Sequence, residues 1–163
     1  MKNRSRLPPS RLCLLFASAA ICAAVAFAQA PEMAGAWRLD LEASDERRNG
    51  PPLVDTRLTV SMVGDGVAVA RAFTTGQGSR THEATYVTDG KPHDVSGILT
   101  PTQTVRARWR KEKLQISYAV SRGGFELDVT EVWSIDKQGA LQVLYSTRVQ
   151  DRNITRREIY RRE

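Results

Sequence analysis

The segment Gly35-Ala36-Trp37-Arg38-Leu39-Asp40-Leu41 decides the fold class of this chain. Its tryptophan and two leucines alternate with an arginine and an aspartate, and a period of two is the pattern of a strand with one buried face. Trp37 is the largest apolar side chain on that face. Because Gly35 has no Cβ, the backbone just before the tryptophan can kink or lie close to another strand. The segment therefore predicts that the folded domain begins with a half-buried strand.

Short alternating segments continue to the end of the chain, with turn residues between them and no sustained helical period. They predict about ten strands, at 35–41, 53–63, 67–75, 80–88, 91–97, 102–109, 114–121, 125–135, 141–149 and 154–161. Such a series is typical of an all-β sandwich or barrel. Tight turns between neighbours favour an antiparallel up-and-down β-barrel of about 8–10 strands, which removes exposed sheet edges. The strongest hairpin signal is the dipeptide Asp89-Gly90.

Four short motifs occur in an order that resembles a family of small exported bacterial barrels. They are Gly35-x-Trp37 with its continuation to Ser44, then Tyr86-Val87-Thr88-Asp89-Gly90-Lys91, Trp133-Ser134-Ile135-Asp136 and Ile159-Tyr160-Arg161-Arg162. The chain resembles lipocalin-like proteins, and Gly-x-Trp is similar to the opening signature of lipocalins and related calycin barrels. The resemblance implies a small antiparallel barrel and no known chemistry. It also implies that a last-strand arginine, Arg161, covers Trp37 in a cation–π contact worth ~0.5–2 kcal/mol.

Residues 1–28 have the organisation of a secretory signal peptide. Four basic residues and no acid precede residue 12, and residues 12–27 carry no charge. That run is shorter than the ~20 residues a membrane-spanning helix needs, so cleavage is favoured over anchoring. We expect cleavage after Ala28, with Ala30 as the alternative site. The mature domain, 29–163, is then expected in the periplasm or outside the cell, with no membrane span.

Removal of the signal peptide changes the charge and the cysteine content. The whole chain has 24 Lys+Arg and 18 Asp+Glu, a net charge of +6. Four of the cations and none of the acids lie in the signal, which leaves a mature charge of about +2. This balance gives no strong case for nucleic-acid binding. Cys13 and Cys22 also leave with the signal, so the domain has no disulfide or thiol chemistry.

Two charged residues lie in apolar registers. Glu131 belongs to the alternating apolar set of residues 125–135, and Arg71 belongs to that of residues 67–73. A buried carboxylate must be paired or must titrate at a raised pH. The two side chains could therefore pair inside the barrel or contact a ligand there. A register break would instead turn both outward.

Aromatic residues on the apolar faces of different strands would point to a common interior once the sheet closes. Together with the two charged residues they form the candidate ligand-binding set: Tyr86, Trp109, Tyr118, Glu131, Trp133, Tyr145 and Arg71. The leading hypothesis is a barrel that binds a small apolar or amphipathic molecule. For each aromatic residue alone, plain core packing is an equally good interpretation. The rival hypothesis is therefore a protein-binding accessory or inhibitor module with a filled core.

Other chemistry has little support in the sequence. His82 and His93 are the two histidines, and without cysteines or a dense carboxylate group they do not predict a metal site. No nucleophile can be placed beside a base, so we expect a protein that is not an enzyme and has no cofactor. The alternating arginines at 106, 108 and 110 predict a solvated outer face.

The first testable prediction concerns processing. Because the cleavage rule fits Ala26-Phe27-Ala28 best, N-terminal sequencing of the exported protein should begin at Gln29, with Pro31 as the second choice. Ala26→Phe removes a small residue that only the preferred site needs, so the main N-terminus should then shift to Pro31. Recovery of intact Met1 in a membrane fraction would contradict the prediction.

Overall fold

Ten alternating segments form one antiparallel sheet in a computed structural model, which describes residues 30–45, 52–97, 101–122, 124–149 and 152–163. The elements are α1 (Ala30–Met33), β1 (Gly35–Leu39), β2 (Leu53–Val63), β3 (Gly66–Thr75), β4 (Gly78–Val87), β5 (Asp89–Val95), β6 (Gln103–Arg110), β7 (Lys113–Arg122), β8 (Phe125–Ile135), β9 (Leu141–Val149) and β10 (Arg152–Arg162). Within the described part, no helix is long and apolar enough to cross a membrane. The proposed signal peptide and most of the loop at 42–52 lie outside the described residues.

The sheet is a nearly closed up-and-down barrel, as the alternation predicts. Its strand order is β4-β3-β2-β1-β10-β9-β8-β7-β6-β5. Consecutive strands pair, except for β4 and β5, and β1 also pairs with β10, which brings the first and last strands together. The predicted strands are confirmed, and those at 125–135 and 141–149 have the predicted bounds.

The barrel is open between β4 and β5, so the predicted Asp89-Gly90 hairpin is wrong. Asp89 bonds locally instead: its Oδ1 accepts a hydrogen bond from the Lys91 backbone N–H at 2.8 Å and lies 3.0 Å from His93 Nε2. Pro92 has no N–H to donate to a ladder. β5 pairs with β6 through a register shift between Asp89 and Pro92. These local bonds turn the chain away from β4 and leave a seam between the two strands.

One end of the barrel is filled by apolar side chains around Trp37 and Trp133, both of which are fully buried. Burial alternates along β1 and β2, so every second residue of these strands points inward. The packed residues include Leu58, Val60, Val67, Leu114, Ile116, Leu141 and Val143.

Two contacts hold the Trp37 side chain, one at its indole N–H and one at the face of its ring. Its indole Nε1 donates to the Met33 carbonyl at 2.9 Å. The guanidinium carbon of Arg162 lies 4.4 Å from the ring centroid. The same arginine donates to the carbonyls of Ala34 at 3.0 Å and Glu32 at 2.6 Å. Arg162 thus ties the last strand to the segment that precedes the first.

The covering arginine is Arg162, not Arg161 as the resemblance implied. The register between β1 and β10 places Trp37 directly opposite Arg162. Because neighbouring residues of a strand point to opposite faces, Arg161 points outward, where its Nε lies 3.1 Å from Asp40 Oδ2.

Gly35 is required by this arrangement. It has a φ of +140°, and a Cβ added there would lie 2.7 Å from the Arg162 Nη1 atom. A side chain would therefore collide with the arginine and strain the backbone.

The second testable prediction concerns Trp37. Trp37→Ala should lower the free energy of unfolding by about 3–5 kcal/mol, because it deletes a large buried ring and leaves Arg162 without its aromatic partner. Urea denaturation would measure the loss, and Trp37→Phe, which keeps an aromatic ring, should cost less. A loss below ~1 kcal/mol for the alanine variant would contradict the role assigned to this side chain.

Candidate functional site

Charged side chains form a layer in the barrel interior, next to the apolar end. Arg71, Glu131 and Glu158 are only 6%, 4% and 5% exposed. Charged groups are seldom buried to this extent unless they are paired. We call these residues the polar layer, together with the side chains that bond or pair with them: Tyr118, Trp133, Tyr145, Arg156 and Tyr160.

Glu131 is the centre of one half of the polar layer. Its Oε2 atom lies 3.5 Å from the Arg71 Nη2 atom, and Trp133 Nε1 donates to the same oxygen at 2.9 Å. The Tyr118 hydroxyl donates to Oε1 at 2.7 Å. The pair between Arg71 and Glu131, one of the alternatives in the sequence, is present. Because β3 and β8 are not neighbours in the sheet, it spans the barrel interior.

Glu158 is the centre of the other half, which the sequence analysis missed. Arg156 Nη1 donates to its Oε1 at 2.6 Å, and the Tyr160 hydroxyl donates to its Oε2 at 2.7 Å. The arginine also lies over the Tyr145 ring, at 4.5 Å from the centroid. The sequence did contain a signal for this half of the layer, because residues 156, 158 and 160 share one face of a strand. The density of arginines around them instead suggested a solvated end.

Opposing effects act on the Glu158 carboxyl. Burial raises its pKa, but the Arg156 and Arg71 cations and hydrogen bonds from Tyr160 and Tyr145 outweigh burial, so the pKa lies below its ordinary value. Glu158 is therefore ionised at neutral pH.

The interior tyrosines are neutral hydrogen-bond donors. Burial, followed by nearby Glu131, raises the pKa of Tyr86 to about 12. Burial also raises the pKa of Tyr118, Tyr145 and Tyr160, with the buried glutamates adding to the effect. Their hydroxyl protons therefore remain in place at any physiological pH.

Two polar atoms beside the layer are buried without a hydrogen-bond partner: Arg71 Nε and Thr56 Oγ1. They belong to adjacent inward-facing pairs of β2 and β3, since Thr56 is opposite Phe73 and Leu58 is opposite Arg71. Unsatisfied buried polar atoms are uncommon and costly, and each one needs an explanation.

The seam between β4 and β5 contains a cleft with a volume of about 440 Å³. Across it, His82 Nε2 lies 2.8 Å from the Ser96 carbonyl oxygen. Phe73 lines the cleft, and its ring centroid is also 5.9 Å from the guanidinium carbon of Arg71. This one ring therefore lies between the cleft and the polar layer. The lining residues are Phe73, Arg80, Thr81, His82, Glu83, Ser96 and Gly97.

The structure brings most of the predicted ligand-binding residues together. The polar layer contains five of them: Arg71, Tyr118, Glu131, Trp133 and Tyr145. Tyr86 and Trp109 are half-buried and pack against the edge of the apolar core. The cleft, by contrast, is lined by residues outside the predicted set.

The two histidines lie at different places: His82 is opposite Arg71 in the β3–β4 pair and reaches across the seam to Ser96. His93 contacts Asp89 and is opposite Val105, not Tyr86 as a hairpin would have required. Within the described ranges, no group of three or more His, Cys, Asp or Glu side chains is arranged to hold a metal ion.

Comparison with known proteins shows the fold. No family model matches the chain. No curated protein matches it either. Solved lipid-binding barrels do match, at 9–14% identity. The REP1-NXSQ fatty acid transporter is 14% identical, with a TM-score of 0.58 over 82% of this chain and 97% of that one.

Two further structures show the same likeness. Apo lipid binding protein 8 of Caenorhabditis elegans is 12% identical, with a TM-score of 0.63 over 82% of this chain and 96% of that one. The zebrafish ileal bile acid-binding protein, complexed with cholic acid, is 9% identical, with a TM-score of 0.55 over 81% and 99%. The chain therefore has the nearly closed, calycin-like barrel fold of these proteins.

Proposed function

We propose that this chain is an exported, lipocalin-like protein of the periplasm or the extracellular space, and that its barrel binds a small apolar or amphipathic molecule. In this proposal residues 1–28 are the cleaved signal peptide and residues 29–163 are the binding domain. The protein acts as a carrier or scavenger rather than as an enzyme. It uses no cofactor and does not bind nucleic acid.

The observation that carries the proposal is the seam between β4 and β5. A cleft of about 440 Å³ lies there, which falls in the range of small-molecule sites. Phe73 lines the cleft and also flanks Arg71, so a short movement of its ring would connect the cleft to the polar layer. Rotamer changes of exposed and partly buried side chains are fast on the timescale of binding.

The fold and the interior chemistry add support. The barrels of similar fold are described as a fatty acid transporter, a lipid binding protein and a bile acid-binding protein. Binding sites are mostly apolar with a few polar groups that fix the ligand's orientation. The apolar core with its adjacent polar layer has that composition, and in this proposal Tyr86 and Trp109 line the path between them.

A specific observation favours the rival function of a protein-binding accessory or inhibitor. The glutamates of the polar layer already have partners, and Trp37, Trp133 and Tyr160 are fully buried. An interior that is satisfied without a ligand is typical of a filled core. The two functions differ in whether the isolated protein binds small molecules saturably.

The third testable prediction is ligand binding at the seam. The uncharged dye Nile red should bind the purified protein at about one to one, and Arg80→Trp, which places a bulkier ring at a lining residue opposite Phe73, should weaken binding about tenfold or more. Arg106→Trp is the matched control, because it makes the same change on the exposed outer face of β6. Fluorescence titration measures all three proteins.

The same question can be asked of the native ligand. Native mass spectrometry of protein purified from its own periplasm should reveal a co-purifying small molecule. Absence of both saturable dye binding and a co-purifying molecule would favour the protein-binding function.

A further inference from the structure

The polar layer is balanced in charge before any ligand arrives. Two cations, Arg71 and Arg156, face two carboxylates, Glu131 and Glu158, at distances of 3.5 and 2.6 Å. Its formal charge is therefore zero, and each arginine of the layer already has an anionic partner.

The hydrogen-bond donors of the layer are also largely used. The Tyr118 hydroxyl and the Trp133 indole donate to Glu131. The Tyr160 hydroxyl donates to Glu158, as does Arg156. A hydroxyl has a single proton, and those of Tyr118 and Tyr160 are already donated. Toward a ligand, these two hydroxyls can therefore act only as hydrogen-bond acceptors.

Among the described residues, two buried side-chain atoms have no hydrogen-bond partner. The Arg71 Nε–H is a donor with no acceptor, and the Thr56 hydroxyl has neither donor nor acceptor. The complementary ligand group is an oxygen that accepts one or two hydrogen bonds. Phe73 flanks Arg71 and lines the cleft, so displacement of its ring would bring such an oxygen to these atoms.

An ionised ligand head group would meet a different environment. A carboxylate would become the third negative charge beside Glu131 and Glu158, with no unpaired arginine in the layer to balance it. Like charges in a poorly solvated site repel strongly, and a buried ion without a partner is costly. An ester or ketone oxygen accepts the same hydrogen bonds and brings no charge.

Resting on the proposed binding function, we infer that the ligand is an uncharged apolar molecule with an acceptor oxygen, such as an ester or ketone, and that the polar layer rejects ionised carboxylates. Arg71 and Thr56 are the groups that recognise the oxygen. Glu131 and Glu158 are the groups that exclude the anion.

The test compares two ligands that share one chain: lauric acid and methyl laurate. At a pH of about 7.5 the free acid is ionised in water. The wild-type protein should bind the methyl ester about tenfold or more tightly than the acid, since like-charge contacts cost several kcal/mol. Displacement of Nile red gives both dissociation constants under one set of conditions.

A variant tests the cause of the preference. Glu158→Gln removes one negative charge with little change in shape, so the layer gains a charge of +1. The affinity for lauric acid should rise about tenfold relative to the affinity for methyl laurate. Glu126→Gln is the matched control, because it makes the same change on an exposed residue of β8. Circular dichroism confirms that each variant is folded.

The outcomes separate this inference from the binding function itself. Tighter binding of the acid than of the ester would overturn the inference and leave the binding function standing. Equal gains in acid affinity for Glu158→Gln and Glu126→Gln would overturn the role of the polar layer. Binding of neither ligand, nor of Nile red, would overturn the binding function and the inference with it. If Glu158→Gln does not fold, the wild-type comparison alone decides.

Discussion

The contact between Trp37 and Arg162 is the constraint on which the rest of the barrel depends. It lies where the first strand meets the last, the pairing with the greatest separation along the chain and the highest cost in loop closure. Gly35 leaves the room that the guanidinium needs. Once β1 and β10 are joined there, the remaining strands follow by sequential pairing on either side, and the apolar faces close over the tryptophan.

The polar layer is the second constraint, because charge in a barrel core must be compensated. Replacing buried ion pairs by apolar groups is often neutral or stabilising, so such pairs seldom exist for stability alone. Glu131 is held by side chains of β3, β7 and β8, and Glu158 is held by Arg156 and Tyr160 of its own strand, so the orientation of both glutamates is fixed. In the proposed binding function, this network is the feature that would select what enters the interior.

The alternation of apolar and polar residues predicted the strands and their inward faces. The features that it did not predict depend on contacts between distant segments or on local hydrogen bonds. The ten strands and the inward placement of Arg71 and Glu131 follow from a period of two. The register of β10 against β1 does not, so the choice between Arg161 and Arg162 could not be made from the sequence. The hairpin predicted from Asp89-Gly90 does not form, because Asp89 bonds instead to Lys91 and His93 of its own strand. Glu158 was missed because outward arginines masked the face that it shares with Tyr160.

The seam between β4 and β5 lies next to the polar layer, and Phe73 borders both. A fully closed barrel would have no exposed edge, yet this one keeps β4 and β5 apart, and an unpaired edge is a liability for aggregation. Pro92 in β5 and the charged residues Arg80 and Glu83 in β4 protect the two edges, as charges and prolines do in other sheets. In the proposed binding function, this protected opening would admit a ligand to the charge-neutral interior without leaving an unprotected sheet edge. Phe73 borders both, so in the proposed binding function its ring is the group that a ligand must displace to reach the unsatisfied Arg71 Nε.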